Sequence, residues 1–376
     1  MTVDVDGVLR PHFEALMAAA GRPALFDAHT HIGRNDPDGY KQEPEDLLAV
    51  LGAIGARGLV FPMHEPDGYP EANDRVVEVA TASEGRLAAL CRVDPNRADS
   101  VREAERSLDA GASGIKLHPR AERFTLHEPR VRELVALVHD RRRPMLIHAG
   151  RGIPALGEDT VRLSEEFRGA RMILAHCAIS DLAWLWQLLP EHPNVYIDTS
   201  WWHPSDILAV LELAPPGQVL WASDSPYGTP INAATMLLRY GLHIGLSTEQ
   251  IAGVMGAQLE RLLAGDEPLD LGPCPGARPG VHPLLERVVA HLTAALGRLF
   301  GRADATEPLA LARLACDVPP GVDHAELFAT LKALFAAYEA MDGPPLPGRA
   351  FPEALRVLVA ALCFAATPQA PLPAAT

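Results

Sequence analysis

The stretch Leu25-Phe26-Asp27-Ala28-His29-Thr30-His31-Ile32 opens the organised part of this chain. It is a short apolar run ending in two histidines. Successive strand residues point to opposite faces, so the i, i+2 pair His29 and His31 shares one face. Three later apolar runs end in the same way, in His148 (P-M-L-I-H-A-G), His176 (M-I-L-A-H-C) and Asp224 (L-W-A-S-D-S-P). Imidazole and carboxylate together suit zinc and neighbouring first-row divalent metals. Five such side chains in matching contexts read as one site.

Working outward, short apolar runs at 25–32, 58–63, 86–93, 113–118, 144–149, 171–176, 194–199 and 218–223 read as strands. Each is bounded by Gly, Pro, Asn or Asp. Between and after them lie helical patterns at 45–56, 70–83, 98–110, 129–141, 159–168, 180–189, 205–213, 231–241 and 247–264, the last with a capping-type start at Ser247 or Thr248. Alternating strand and helix predict a parallel sheet with helices outside. Eight repeats in about 240 residues is the size of a (β/α)8 barrel. A doubly wound open sheet is the rival. It usually carries a Gly-rich phosphate loop after its first strand, and none is here. All five candidate ligands stand at C-terminal strand ends, where barrels build their active sites.

Residues 1–24 precede the first strand, and Val8–Ala20 reads as an amphipathic helix that plugs the barrel bottom or packs on its side. Barrel character runs over 25–266, and a Pro/Gly-rich break over 267–281 reads as a linker. Four helical patterns follow, near 283–300, 306–316, 322–340 and 351–365, forming a small all-α bundle over 282–366. The final residues 367–376 read as a disordered tail.

Among 376 residues, 48% are hydrophobic, enough for one large domain plus a smaller one. The net charge of −15 argues against nucleic acid as the main partner, since phosphate binding needs a basic surface. Cys91, Cys177, Cys274, Cys316 and Cys363 form no C-x-x-C pair and read as reduced thiols. The N-terminus lacks a basic start followed by an apolar run, and no stretch has the length needed to span a bilayer. The expected compartment is the cytoplasm.

The barrel resembles the amidohydrolase superfamily, specifically the amidohydrolase-2 group that includes aminocarboxymuconate-semialdehyde decarboxylase-like members. The motifs that carry the resemblance are D-A-H-T-H at 27–31, G-I-K-L-H-P at 114–119, I-H-A-G at 147–150, A-H-C at 175–177, I-D-T-S at 197–200 and A-S-D-S-P-Y at 222–227. It covers roughly residues 25–265 and stops before the helical tail. Two positions depart from the family pattern: no Gly follows A-H-C, and Gln258 stands where the family usually places Asn.

A divalent metal held by His29, His31, His148 and Asp224 would keep a position open for water and lower its pKa. The resemblance implies that His176 either ligates or sits just outside the ligands. Asp224 would act as general acid/base, moving a proton from that water to the leaving group. The ligand set admits zinc first, with manganese, iron or cobalt as alternatives. Lys116 has three readings: by resemblance, a carboxylated lysine bridging two metals; a cation facing the pocket; or the partner of a carboxylate at the barrel mouth. His118 shares its face and lines the pocket or is a plain loop histidine.

Arg92 matches the geometry of a substrate carboxylate, with a salt bridge to a nearby acid as the alternative. His64 follows the second strand. Trp201, Trp202 and His203 follow the seventh and suggest an aromatic substrate wall, or else pack the loop against the tail. Tyr227, beside Asp224, is placed to donate to an oxyanion.

The leading expectation is a metal-dependent hydrolase using activated water on an amide, ester or lactone of a small organic molecule. Short connections tilt the choice that way. The alternative is a non-oxidative decarboxylase of an aromatic or unsaturated carboxylic acid on the same site. A further alternative makes the barrel a scaffold and the tail an interaction module. The tail carries no chemical cluster and is expected to pack on the barrel or make an oligomer contact. A homodimer is the superfamily-like default.

Overall fold

The computed structural model describes residues 5–150, 152–277, 282–319, 321–341 and 353–373. Parts of the expected linker (278–281), the Pro/Gly cluster at 342–352 and the last three residues lie outside them. The chain begins with helix α1 (Val5–Ala19) and then alternates. Its strands are β1 (Leu25–Ile32), β2 (Ala56–Pro62), β3 (Leu87–Arg92), β4 (Gly114–Leu117), β5 (Pro144–Ile147), β6 (Arg171–Leu174), β7 (Val195–Asp198) and β8 (Val219–Leu220). The helices of the barrel are α2 (Pro44–Gly52), α3 (Pro70–Ala82), α4 (Ser100–Asp109), α5 (Pro119–Glu122), α6 (Pro129–Arg141), α7 (Leu156–Glu166), α8 (Leu182–Leu185), α9 (Pro204–Leu213) and α10 (Pro230–Ile244). After them come α11 (Thr248–Ala252) and α12 (Gln258–Ala264), then the extension α13 (Pro283–Phe300), α14 (Thr306–Leu314), α15 (Ala325–Glu339) and α16 (Glu353–Ala366).

The eight strands pair in parallel and in sequence order, β1 through β8. The ring is nearly closed. From β8 back to β1 the described backbone hydrogen bonds are few: Ala28 N–H to Trp221 O at 3.0 Å and His31 N–H to Ser225 O at 2.8 Å. Asp27 Oδ1 adds a bond from Ser223 N–H at 2.9 Å. Eight parallel strands ringed by helices make a (β/α)8 barrel, as the alternation predicts.

Period two sets what faces inward. Leu59, Phe61, Leu90, Leu146, Tyr196 and Leu220 belong to the apolar cluster inside the barrel. Two residues further along several of these strands the inward position turns polar: Arg92, His148, Asp198, then Asp224 after Ala222. Gly114 in β4 has no room for a side chain, because a Cβ there would lie 2.2 Å from Pro144 O on β5. We therefore expect Gly114→Ala to force β4 and β5 apart and cost at least about 2 kcal/mol. A urea unfolding midpoint equal to wild type would refute this.

The helix expected at 247–264 is instead three pieces, with a π-type turn over Gly253–Ala257 between α11 and α12. Gly253 and Gly256 permit it. A Cβ on Gly253 would lie 2.2 Å from Leu271 Cδ1, and one on Gly256 2.9 Å from Ala24 O. The break turns α12 so that Leu259, Leu262 and Leu263 join the barrel's inner cluster. Buried Gln258 accepts from Leu269 N–H at 2.8 Å and donates to Gly217 O at 2.5 Å. The barrel bottom is thus closed by α12, while α1 packs on the side against α10 and α16. The expected helix at 180–189 shrinks to α8, followed by a 3-10 turn at Leu189–Glu191 that contains Pro190.

The extension packs on the barrel through α16. Residues 357–366 are all at most 5% exposed, as expected of a helix that is apolar all round. One hydrophobic cluster runs from α1 through the outer helices into α13, α15 and α16. The expectation of a loose tail after residue 366 fails for its described part: Thr367 and Ala370 are buried. Buried Arg239 of α10 donates to Thr367 O at 2.8 Å, Thr367 Oγ1 at 2.9 Å and Pro371 O at 3.2 Å. The sequence pattern missed it because the tail is held by a guanidinium more than a hundred residues upstream. All five cysteines are free among the described residues. None of the described helices is long and apolar enough to cross a membrane.

Candidate metal centre and its cavity

A bulge builds the first half of the site. The β1–β2 register shifts between Asp27 and Thr30. Phe26 and Ala28 face the inner cluster, yet His29 and His31 also line the cavity, so the bulge re-aims the strand's end. Asp224, just past β8, is held at φ 59°, and His176, just past β6, at φ 57°. Both are left-handed backbone conformations, uncommon outside glycine and concentrated at functional sites.

His29 Nε2, His31 Nε2 and Asp224 Oδ1 form a triangle with all three sides 3.2 Å. Ligands on bonds of about 2.1 Å at tetrahedral or octahedral angles lie about 3.0–3.4 Å apart. The triangle therefore fits one divalent ion without rearrangement, and these three residues form a candidate metal-binding group among the described residues.

Hydrogen bonds fix the tautomers. His29 Nδ1 lies 2.8 Å from Asp198 Oδ2, so Nδ1 carries the proton and Nε2 keeps its lone pair for the triangle. His176 Nδ1 donates to Ser200 O at 2.7 Å, so its Nε2 accepts from His148 Nδ1 at 2.9 Å. That leaves His148 Nε2 as a buried lone pair with no hydrogen-bond partner among the described residues. His176 Nδ1 is 4.0 Å from Asp224 Oδ2. Three of the five expected ligands thus meet directly, His176 stands beside them, and His148 is reached through His176. His148 stacks on His118, with ring centroids 3.8 Å apart.

Burial dominates the electrostatics. It holds His29, His31 and His148 well below the usual imidazole range, with nearby cationic and imidazole groups adding to the effect. It pushes the Asp224 carboxyl well up, an effect that Lys116 opposes. Lys116, wholly buried on β4, is pushed down to about 7 by burial, against the pull of Asp198. Its Nζ lies 4.7 Å from the Phe61 ring centroid and has no hydrogen-bond partner among the described residues.

The triangle sits in a cavity of about 590 Å³, which His64, Lys116, His118, Trp201, Trp202 and Tyr227 also line. Arg92 lines it too, but its guanidinium donates to Glu122 at 2.6 Å, both side chains being buried. The salt-bridge reading of Arg92 is the one realised. Trp202 also stacks edge-on against Phe300 of α13, at 4.7 Å, so it lines the cavity and packs the loop on the extension. Tyr227 donates to Asp36 at 2.5 Å. His203 is outside the cavity's lining and caps α9 by accepting from Ser205 N–H.

Asp198 is the residue the sequence reading passed over. Besides His29 it accepts from His176 N–H and Ser200 N–H, each at 3.0 Å, and from Ser200 Oγ. Its signal was present in the I-D-T-S stretch, an acid at the C-terminal end of a strand. We expect Asp198→Asn to weaken metal affinity by about 10–100-fold, because the amide no longer fixes the His29 tautomer. Equal zinc affinities in a competitive chelator titration would contradict this role.

Fold and site together define a (β/α)8 barrel with a candidate metal-binding site at the C-terminal ends of its strands. The amidohydrolase family model matches residues 26–257, and the chain belongs to that family. Among solved structures it is similar to 5-carboxyvanillate decarboxylase from Sphingomonas paucimobilis, at 18% identity and a TM-score of 0.51, over 64% of this chain and 99% of that one. An uncharacterised TIM-barrel protein from Bordetella bronchiseptica aligns at 15% identity and a TM-score of 0.52, over 64% and 99%. A 2,6-dihydroxybenzoate decarboxylase in complex with 2,6-dihydroxybenzoate aligns at 13% identity and a TM-score of 0.50, over 64% and 98%. At such identities the likeness speaks to the fold. No curated protein matches the chain.

Proposed function

We propose that the protein is a metal-dependent, non-oxidative decarboxylase of a small aromatic or unsaturated carboxylic acid. The observation that carries this reading is the joining of the 3.2 Å ligand triangle, the buried Lys116 amine and aromatic side chains in one cavity. Two of the three structures named above are decarboxylases by name, which supports this alternative over the hydrolase that short connections favour.

A divalent ion held by His29, His31 and Asp224, with His148 and His176 at hand, would supply Lewis-acid polarisation of the substrate. Lys116 attracts the substrate carboxylate. Trp201 and Tyr227 flank the flat part of the molecule. The scissile bond joins the carboxylate carbon to its neighbour. When it breaks, the electron pair stays on that neighbouring carbon, carbon dioxide leaves, and a proton takes its place. Asp224 Oδ2, the oxygen outside the triangle, delivers that proton. His176 positions His148 at the cavity wall. His29 is 1% exposed and His31 5%, and such a dry site favours loss of a charged carboxylate as neutral carbon dioxide.

Hydrolysis is the second reading, favoured by the family's amidohydrolase description. In it, Asp224 takes a proton from the attacking water and passes it to the leaving group. Elemental analysis followed by turnover of aromatic acids and of esters tests the choice. Carbon dioxide release with about one metal per chain supports the proposal. Base-titratable acid without carbon dioxide would replace it with hydrolysis. Two metals per chain, falling to one in Lys116→Ala, would make Lys116 a bridging ligand rather than a carboxylate cradle.

A further inference from the structure

One wall of the cavity has no part in the chemistry above. Thr229, at the cap position of α10, and Asn232, Ala233 and Met236 within that helix all line the cavity. Their spacing of i, i+3, i+4 and i+7 puts them on one face of α10. Arg356 and Val359 of α16 complete this wall, and α16 lies beyond the stretch 26–257 that the family model matches. Helix α10 follows β8, while Lys116 stands on β4. In a ring of eight strands taken in order, β4 and β8 are on opposite sides, so the α10 wall faces Lys116 across the cavity.

The polar part of this wall is unpaired. Asn232 is 7% exposed, and its Oδ1 is buried with no hydrogen-bond partner among the described residues. Thr229 Oγ1 is in the same state. A threonine at a helix cap ordinarily accepts from the first free N–H groups of the helix, and Thr229 makes no such bond. An unpaired buried acceptor costs stability, and nearly all buried polar groups in folded proteins are paired. Leucine has almost the same shape as asparagine and would fill position 232 without that cost. The amide therefore calls for a partner that enters the cavity. A neutral hydroxyl both donates and accepts, so it pairs with the oxygen or the nitrogen of the amide and with the threonine hydroxyl. A carboxylate or an ether only accepts and would leave Asn232 Oδ1 bare.

We propose that Asn232, with Thr229 beside it, is a specificity-determining residue that hydrogen-bonds a hydroxyl group at the end of the substrate away from its carboxylate. Met236 and Val359 pack against the ring that carries this hydroxyl. The inference rests on the carboxylic-acid reading of the site, in which Lys116 attracts the carboxylate on the opposite side.

Binding of benzoate, 3- and 4-hydroxybenzoate and the matching methoxybenzoates to the full-length, zinc-supplied protein tests this by calorimetry. At positions 3 and 4 the hydroxyl cannot share the metal ion with the carboxylate. The wild type should bind the better hydroxybenzoate about fivefold to tenfold more tightly than benzoate, the worth of one buried hydrogen bond. The matching methoxybenzoate, which cannot donate, should lose that advantage. Asn232→Leu should bring the ratio of hydroxybenzoate to benzoate affinity to about one, with a urea midpoint no lower than wild type. Asn232→Asp, which keeps an acceptor in the same place, should keep the preference. If Asn232→Leu does not fold, Asn232→Ala is read on the same ligands. A lower midpoint with both acids weakened alike marks a structural role and overturns the inference. It also falls, with the decarboxylase reading left standing, if the wild type binds benzoate without preferring the hydroxyl, or if the preference survives in Asn232→Leu. If the zinc-supplied wild type binds none of these acids, both fall.

Discussion

His29→Ala should purify with less than about a tenth of an equivalent of metal per chain and lose at least about a thousandfold in turnover, or roughly 4 kcal/mol of transition-state stabilisation. The reason is geometric. His29 Nε2 is one corner of a triangle whose sides to His31 and Asp224 are both 3.2 Å. Alanine removes that corner and also leaves Asp198 without the imidazole N–H it accepts. His203→Ala is the matched control, since His203 caps α9 outside the cavity and should leave metal content unchanged. Elemental analysis of both variants decides the matter. A His29→Ala protein that keeps a full equivalent of metal would show that the triangle is not the binding site.

Arg239→Met should lower stability by about 3 kcal/mol or more, read as a lower denaturation midpoint with an unchanged slope. Arg239 is completely buried, and its acceptors are the oxygens of Thr367 and Pro371. Its guanidinium carbon also lies 3.8 Å from the Phe364 ring centroid. Burial pulls its pKa down to about 10, which leaves it charged at neutral pH. Methionine approximates the bulk and leaves those oxygens unsatisfied. Arg239→Lys should recover little, because a point cation cannot reach all three oxygens and cover the ring at once. A wild-type midpoint for Arg239→Met would mean that the segment after α16 adds nothing to the fold.

The barrel was legible because its signals are local. Apolar runs bounded by Gly and Pro, alternating with helical periods, placed every strand within a few residues of its observed span. The candidate ligand positions were legible for the same reason, each sitting at the end of such a run, and three of the five meet in one triangle. What escaped depends on partners remote in sequence. The π-type turn at Gly253–Ala257 is imposed by Leu271, Ala24 and Phe26, none of which marks the local pattern. Asp198 was visible as a residue, but its role appears only when His29 and His176 are brought to it from other strands. Arg356 and Val359 line the cavity from α16, a helix whose pattern reads only as core, and nothing in that pattern tells which cavity they border.

The seam between β8 and β1 gives the site a second character, that of a buckle. Elsewhere the ring is held by ladders of strand pairing, but here it is held by Ala28 on Trp221, His31 on Ser225 and Asp27 on Ser223. His29 and His31 stand on one side of this join and Asp224 on the other. Any breathing motion that parts the two strands pulls the ligand triangle apart, and anything that grips the triangle damps that motion. Amide protons of Ala28, His31 and Ser223 should therefore exchange with solvent more slowly in the metal-loaded protein than in chelator-treated protein, making them a clock for how often the ring unlatches.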